Sequence, residues 1–291
     1  MNNFIHNQYL RAKAFWPFWL YFFNYKGRSL FKRNLPTLNS VQKKIVADLR
    51  TNGIAFSSLD DLFPGQDLLT KLQQYEKELR PGRAVIGKKP YIKYYWSFLP
   101  ELTYKNPFVG IALDSLVLDI ANSYLQMFTR FQYFRFEQTM PVGKNSERTH
   151  SQQWHRDPKE RRYMKMFIYL NDVDDSAGPF VYIPGTTYGN PAGNVFPQKP
   201  PLGSYPPAEE VARLFPENTW KVARGVAGTV IFCDTSGIHR GGFATENDRL
   251  MSSFFYTADS YARKSDYTIS SKTLEGAKDF SPALKYALRL F

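Results

Sequence analysis

The sequence predicts an α+β chain in which helices pack outside a two-sheet jelly-roll barrel, the double-stranded β-helix. Two observations carry this. Apolar residues recur at helical spacing up to about Met127, whereas from Phe131 onward aromatic and β-branched residues alternate with the two-residue rhythm of strands. Helices first and strands later place the helices together against one sheet system. At 291 residues the chain suits one large domain with a full core, and no internal repeat is visible.

The first element is a basic, aromatic arm, residues 1–37, followed by a single domain over 38–291 with its barrel core at about 129–258. Residues 1–50 hold nine Lys and Arg against one acid, Asp48, so eight of the twelve net positive charges sit there. Charge gathered in an arm suggests an interaction surface rather than a groove that tracks phosphates, so nucleic acid is not expected as a partner. The aromatic run Phe15–Phe23 lies between Arg11 and Lys13 on one side and Lys26, Arg28, Lys32 and Arg33 on the other. It is too short for a bilayer, which needs about 20 apolar residues, and its aromatic character and Pro17 do not fit a cleaved signal. Two uses stay open. Residues 11–33 can touch a membrane surface with their rings at headgroup depth, or the rings can pack on the barrel or in a dimer contact.

Leu38–Arg50 carries Val41, Ile45, Val46 and Leu49 at helical spacing and stops before Gly53; Gly53–Phe56 then reads as a short strand. Asp67–Leu79 is a second helix with Leu68, Leu69, Leu72 and Tyr75 on one face, and Pro81 and Gly82 end it. A third helix is expected over Pro107–Met127. Strands follow at Phe131–Gln138, Tyr163–Leu170, Gly228–Asp234 and Arg249–Tyr256. The single cysteine, Cys233, excludes an intramolecular disulfide, fits a reducing cytoplasm, and reads as buried packing within its strand.

Two irregular segments are expected to frame the site. Arg80–Trp96 mixes basic residues with Tyr91, Tyr94, Tyr95 and Trp96, which suits a planar or sugar-like substrate carrying negative charge, or else a solvated loop with its rings in the core. Tyr188–Pro207 is rich in Pro and Gly and reads as a lid or binding loop, with partial disorder as the alternative.

The chemistry concentrates in four residues. His155 and Asp157 are separated only by Arg156, and in extended chain positions i and i+2 point the same way, so the pair can converge on one ion. His239, delivered by the Ser236-Gly237 turn, adds a second imidazole. Two imidazoles and one carboxylate form the facial set that leaves positions on Fe(II) open. Arg249 opens the last strand and shares a face with Met251, Ser253 and Phe255. A guanidinium inside a barrel needs an anionic partner, for which the distal carboxylate of a 2-oxo acid is a candidate; a rim arginine paired with Asp248 or Glu246 is the alternative.

The segment from about Thr129 to Ala258 resembles the phytanoyl-CoA dioxygenase family of Fe(II)/2-oxoglutarate-dependent oxygenases. The resemblance lies in Trp154-His155-Arg156-Asp157, in the Gly178–Gly185 run (GPFVYIPG), and in His239-Arg240-Gly241-Gly242 followed by Arg249. It implies iron bound by His155, Asp157 and His239, 2-oxoglutarate bound by Arg249, with Ser253 and Gln153 as further co-substrate contacts, and O2 consumed in hydroxylating a small molecule. Two departures stand out. Thr186-Thr187-Tyr188 replaces the Ser-His that often follows the Pro-Gly turn, and Met251 stands where some relatives of the fold have Ser. Related halogenases carry a small residue in place of Asp157, so its carboxylate favours hydroxylation over halogenation. The combined basic arm and basic, aromatic loop favour an anionic, membrane-presented lipid- or sugar-linked substrate. A carbohydrate- or lipid-binding barrel without catalysis is the competing class.

Overall fold

Alternation along the strands sorts side chains into two separate cores, and this defines the architecture. The structure is a computed structural model that describes residues 3–79, 85–86, 89–95, 101–143, 145–158, 160–198, 203–261, 263–270, 272–273, 275 and 280–290. Of the expected loop at 80–96, positions 80–84, 87–88 and 96 lie outside the described residues.

The arm is helical. It comprises α1 (Asn3–Ala14), a π-helical segment at Phe18–Phe23 that begins just after Pro17, and α2 (Tyr25–Arg33). Its inner side is fastened to the domain. Trp19 is fully buried and donates its indole N–H to Glu160, which also takes Lys13 at 3.1 Å, while Asn24 accepts from the Ser260 amide at 2.9 Å. Its outer side stays exposed, so the packing expectation describes one face of the arm only.

Next comes α3 (Ser40–Asn52), started by a capping box between Asn39 and Gln42 and ended by Gly53 at φ 77°. A Cβ at Gly53 would lie 2.3 Å from the Tyr182 hydroxyl, so both conformation and space require glycine there. β1 (Ile54–Ser58), α4 (Leu59–Leu62), α5 (Leu68–Leu79), β2 (Val85–Ile86) and β3 (Ile92–Tyr94) follow. The helix expected over Pro107–Met127 is instead two, α6 (Pro107–Ala112) and α7 (Ser115–Leu125). Asp114 interrupts it: its side chain accepts from the Leu116 amide and caps a new helix, which an apolar count along the segment does not register.

The large antiparallel sheet adds β4 (Arg130–Thr139), β5 (Met164–Tyr169), β8 (Thr229–Cys233) and β10 (Arg249–Thr257), in the order β1-β8-β5-β10-β4-β3-β2. A smaller antiparallel sheet has β6 (Phe180–Tyr182) between β7 (Lys221–Ala223) and β9 (His239–Arg240). One face of the large sheet, with Met166, Ile168, Phe232 and Phe254, packs on Leu49, Leu72, Phe108 and Val117 of the helices. The other face, with Phe167, Tyr169, Ile231, Cys233 and Met251, meets Phe180 and Tyr182 of the small sheet. The central strands are therefore buried on both faces, at about 1.5–3 kcal/mol for each large apolar side chain. The described strands form two facing sheets, as in a jelly-roll. α8 (Ala208–Leu214) and α9 (Pro282–Ala287) complete the elements.

Candidate metal centre

His155 and His239 are brought together by main-chain pairing. The His155 amide donates to the His239 carbonyl at 2.9 Å and the His239 amide donates back at 3.0 Å. Such a reciprocal pair sets both side chains on the same face of the small sheet's edge. The imidazole centroids are 4.2 Å apart. Asp157, two residues on, points the same way, with its amide held by the Thr235 carbonyl at 2.9 Å. One ligand atom from each of His155, Asp157 and His239 lies within 4.8 Å of the others.

The hydrogen bonds fix which nitrogens face inward. Nδ1 of His155 donates to the Gln153 carbonyl at 2.9 Å, and Nδ1 of His239 donates to the Gly237 carbonyl at 3.0 Å. Both Nε2 lone pairs are then available to an ion. Burial lowers both imidazoles below their ordinary value of 6.5, with Asp157 opposing the shift, so both are neutral at neutral pH. Burial alone would raise the Asp157 carboxyl, but the Lys165 ammonium at 2.5 Å and the two imidazoles outweigh it and hold the carboxylate well below its usual range. Oδ2 of Asp157 faces Lys165, and Oδ1 lies 3.7 Å from His155 Nε2, so one oxygen stays on the side of the histidines.

Arg249 is buried, not at the rim. Its guanidinium donates to the Gly178 carbonyl at 2.5 Å and to the Thr139 hydroxyl at 3.2 Å, both uncharged, and its Nε has no hydrogen-bond partner among the described residues. Asp248, offered by the sequence as a rim partner, accepts from Gln138 instead. A buried guanidinium with neutral partners and an orphaned N–H fits a carboxylate brought in by a ligand. The glycines after His239 have a steric reason here: a Cβ on Gly242 would lie 1.6 Å from the Gly178 oxygen and 2.5 Å from Arg249 Nη1.

The two weaker candidates are placed less directly. Ser253 is buried on the Arg249 and Met251 side of β10, four residues and about 13 Å along the strand from Arg249. Gln153 has an exposed side chain and contributes its carbonyl to His155.

Several residues that matter here carry no signal in a motif. Lys165 on β5 pairs with Asp157. Lys89 donates to the Ser151 hydroxyl at 2.8 Å, and burial lowers its pKa even though Glu137 and Asp157 favour its charge. Arg156, between the two ligands, points away from them and donates to the carbonyls of Phe196 at 3.0 Å, Val195 at 2.8 Å and Ser236 at 2.7 Å, as well as to Thr186 and Ala192. Asp234, fully buried, takes the Tyr124 hydroxyl at 2.6 Å and the Ser236 amide at 2.9 Å, which braces the turn that delivers His239. Part of the loop at 188–207 is thus fastened behind the ligands. Its Tyr205 stacks on the His155 ring, with centroids 5.6 Å apart.

No family model matches the chain, and no curated protein matches it. Among solved structures it is similar to SnoN, an epimerase in complex with Fe3+, alpha ketoglutarate and nogalamycin RO, at 14% identity over 75% of this chain and 84% of that one, with a TM-score of 0.54. It is also similar to EctD from S. alaskensis with 2-oxoglutarate and 5-hydroxyectoine, at 19% identity over 77% of each chain and a TM-score of 0.52. The same EctD with bound Fe gives 18% identity over 81% and 83% and a TM-score of 0.51. At these identities the likeness concerns architecture, and the chain has the jelly-roll-type fold of these iron- and 2-oxoglutarate-binding proteins.

Proposed function

We propose that the chain is a non-haem Fe(II)- and 2-oxoglutarate-dependent oxygenase, akin to the phytanoyl-CoA dioxygenase family, that hydroxylates a C–H bond of an anionic lipid- or sugar-linked small molecule. The observation that carries this reading is the convergence of His155, Asp157 and His239 in a fold that also buries Arg249 with no charged partner in its hydrogen bonds.

Bound iron, 2-oxoglutarate and O2 supply the oxidising chemistry. The chain's own residues hold and orient. His155 and His239 offer Nε2 because Gln153 and Gly237 occupy Nδ1, and Asp157 offers one oxygen because Lys165 occupies the other. Arg249 and Thr139 form the socket for the far carboxylate of the co-substrate. Tyr205, more than half exposed, covers the His155 ring at the mouth of the centre.

The test is succinate release from 2-oxoglutarate across a panel of anionic lipids and sugar-linked compounds. A substrate should raise succinate release and gain one oxygen atom by mass. Asp157→Ala should abolish both, and turnover retained in that variant would remove Asp157 from the centre. SnoN is an epimerase, so stimulated succinate with an unchanged substrate mass would replace hydroxylation by epimerisation.

A further inference from the structure

We propose that the outward face of the N-terminal arm is a docking ridge for an anionic phospholipid surface. The arm has two faces of opposite kind. Its inner face is consumed by the domain, through Trp19, Lys13 and Asn24 on Glu160 and Ser260. On the outer face Ile5, Phe15, Phe18, Tyr21, Phe22 and Tyr25 are each more than half exposed, Phe22 reaching 74%. Phe18 and Phe22 are four residues apart in the π-helical segment, with Phe15 just before it and Tyr25 at the start of α2, so the exposed rings run along the segment from end to end. Water-exposed apolar patches of this kind mark interaction sites.

Charge selects the partner. No acidic residue occurs before Asp48, and Arg11, Lys26, Lys32 and Arg33 are all exposed beside the rings. Two such ridges would repel each other, which disfavours self-association through this face. Rings at headgroup depth with Lys and Arg meeting lipid phosphates satisfy both features at once. No helix among the described residues is long and apolar enough to cross a membrane, so the contact is with the surface. The attachment is close to the chemistry. Glu160, which holds the arm, follows Asp157 by three residues, and a cavity of about 150 Å³ bounded by Lys13, Arg156, Glu160 and Gln198 lies between arm and ligand segment.

The experiment is co-sedimentation of the full chain with vesicles of phosphatidylcholine alone and with vesicles enriched in phosphatidylglycerol. The wild type should bind the phosphatidylglycerol vesicles at least about tenfold more tightly than the neutral ones, and added salt should weaken that binding. The triple substitution Phe15→Ser, Phe18→Ser and Phe22→Ser, all at exposed positions, should weaken it by at least about tenfold, with the circular dichroism spectrum unchanged. Asp157→Ala should bind vesicles like the wild type, so failure here and failure of the oxygenase reading appear separately. Absence of wild-type binding, or equal binding by the triple variant, would overturn the proposal. So would finding that the substitutions abolish self-association or oligonucleotide binding while leaving vesicle binding intact.

Discussion

At the residue scale, the convergence of His155, Asp157 and His239 is legible because their spacing is local or their type is rare. The chain has four histidines, and two of them flank strand-like runs. Lys165, Asp234 and Lys89 were not legible, because their significance lies in partners far along the chain. Lys165 is one lysine among many until the fold sets its ammonium 2.5 Å from Asp157. Gln153 shows the converse: its side chain is exposed, and the contact it makes to His155 is through its carbonyl. Arg249 gives the sharpest prediction at this scale. Arg249→Ala should raise the KM for 2-oxoglutarate roughly 30-fold, the equivalent of about 2 kcal/mol for a buried charge-assisted pair, without changing metal affinity. Arg249→Lys should recover only part of this, because an ammonium cannot reproduce a two-pronged contact. Steady-state kinetics with varied 2-oxoglutarate, beside a metal titration of each variant, checks both statements.

At the element scale, strongly periodic segments were read well. The helix expected from Leu38 appears at Ser40–Asn52, and the strand expected from Arg249 appears at Arg249–Thr257. What escaped was punctuation and context. Asp114 divides one apolar run into two helices, and the arm's helices were hidden by its aromatic, basic composition. Short strands such as β6 and β9 depend on pairing across the sheet, which no local pattern encodes. Arg156 joins three of these irregular pieces: the loop at 192–196, the turn at Ser236 and the residue after the Pro-Gly turn, Thr186. Burial lowers its guanidinium to about 10, so it stays charged at neutral pH. Arg156→Ala strands several buried carbonyls and should destabilise the domain by about 3 kcal/mol. Urea unfolding measures that loss, and hydrogen exchange should show it concentrated at 192–196 and 236–239. Unaltered protection in both segments would mean that the loop holds itself.

At the scale of the whole molecule, the mixed helix-and-sheet class follows from helices preceding strands, and the aromatic arm offers packing on the domain as one of two uses, but which of its rings turn inward is decided by Glu160 and Ser260 far along the chain. Two sheets face each other across the inner core; His155 and His239 pair at the edge of the smaller one, and Lys165 reaches Asp157 from the larger. The arm joins this body through a buried ion pair, Lys13 with Glu160. Breaking one partner of such a pair costs about 3–5 kcal/mol because the other charge stays buried. Glu160→Ala should therefore release the arm, and limited proteolysis should cut within residues 1–35 much faster than in the wild type, while an unchanged digestion pattern would show that the apolar contacts alone suffice.

If His155, Asp157 and His239 hold iron and Arg249 holds the co-substrate, one spectrum reports on both. Under anaerobic conditions, Fe(II) and 2-oxoglutarate added to the folded protein should produce a weak metal-to-ligand charge-transfer absorption. The band should be absent in His239→Ala and should require much more 2-oxoglutarate in Arg249→Ala. No band from folded, metal-loaded wild type, or an undiminished band in His239→Ala, would contradict the account.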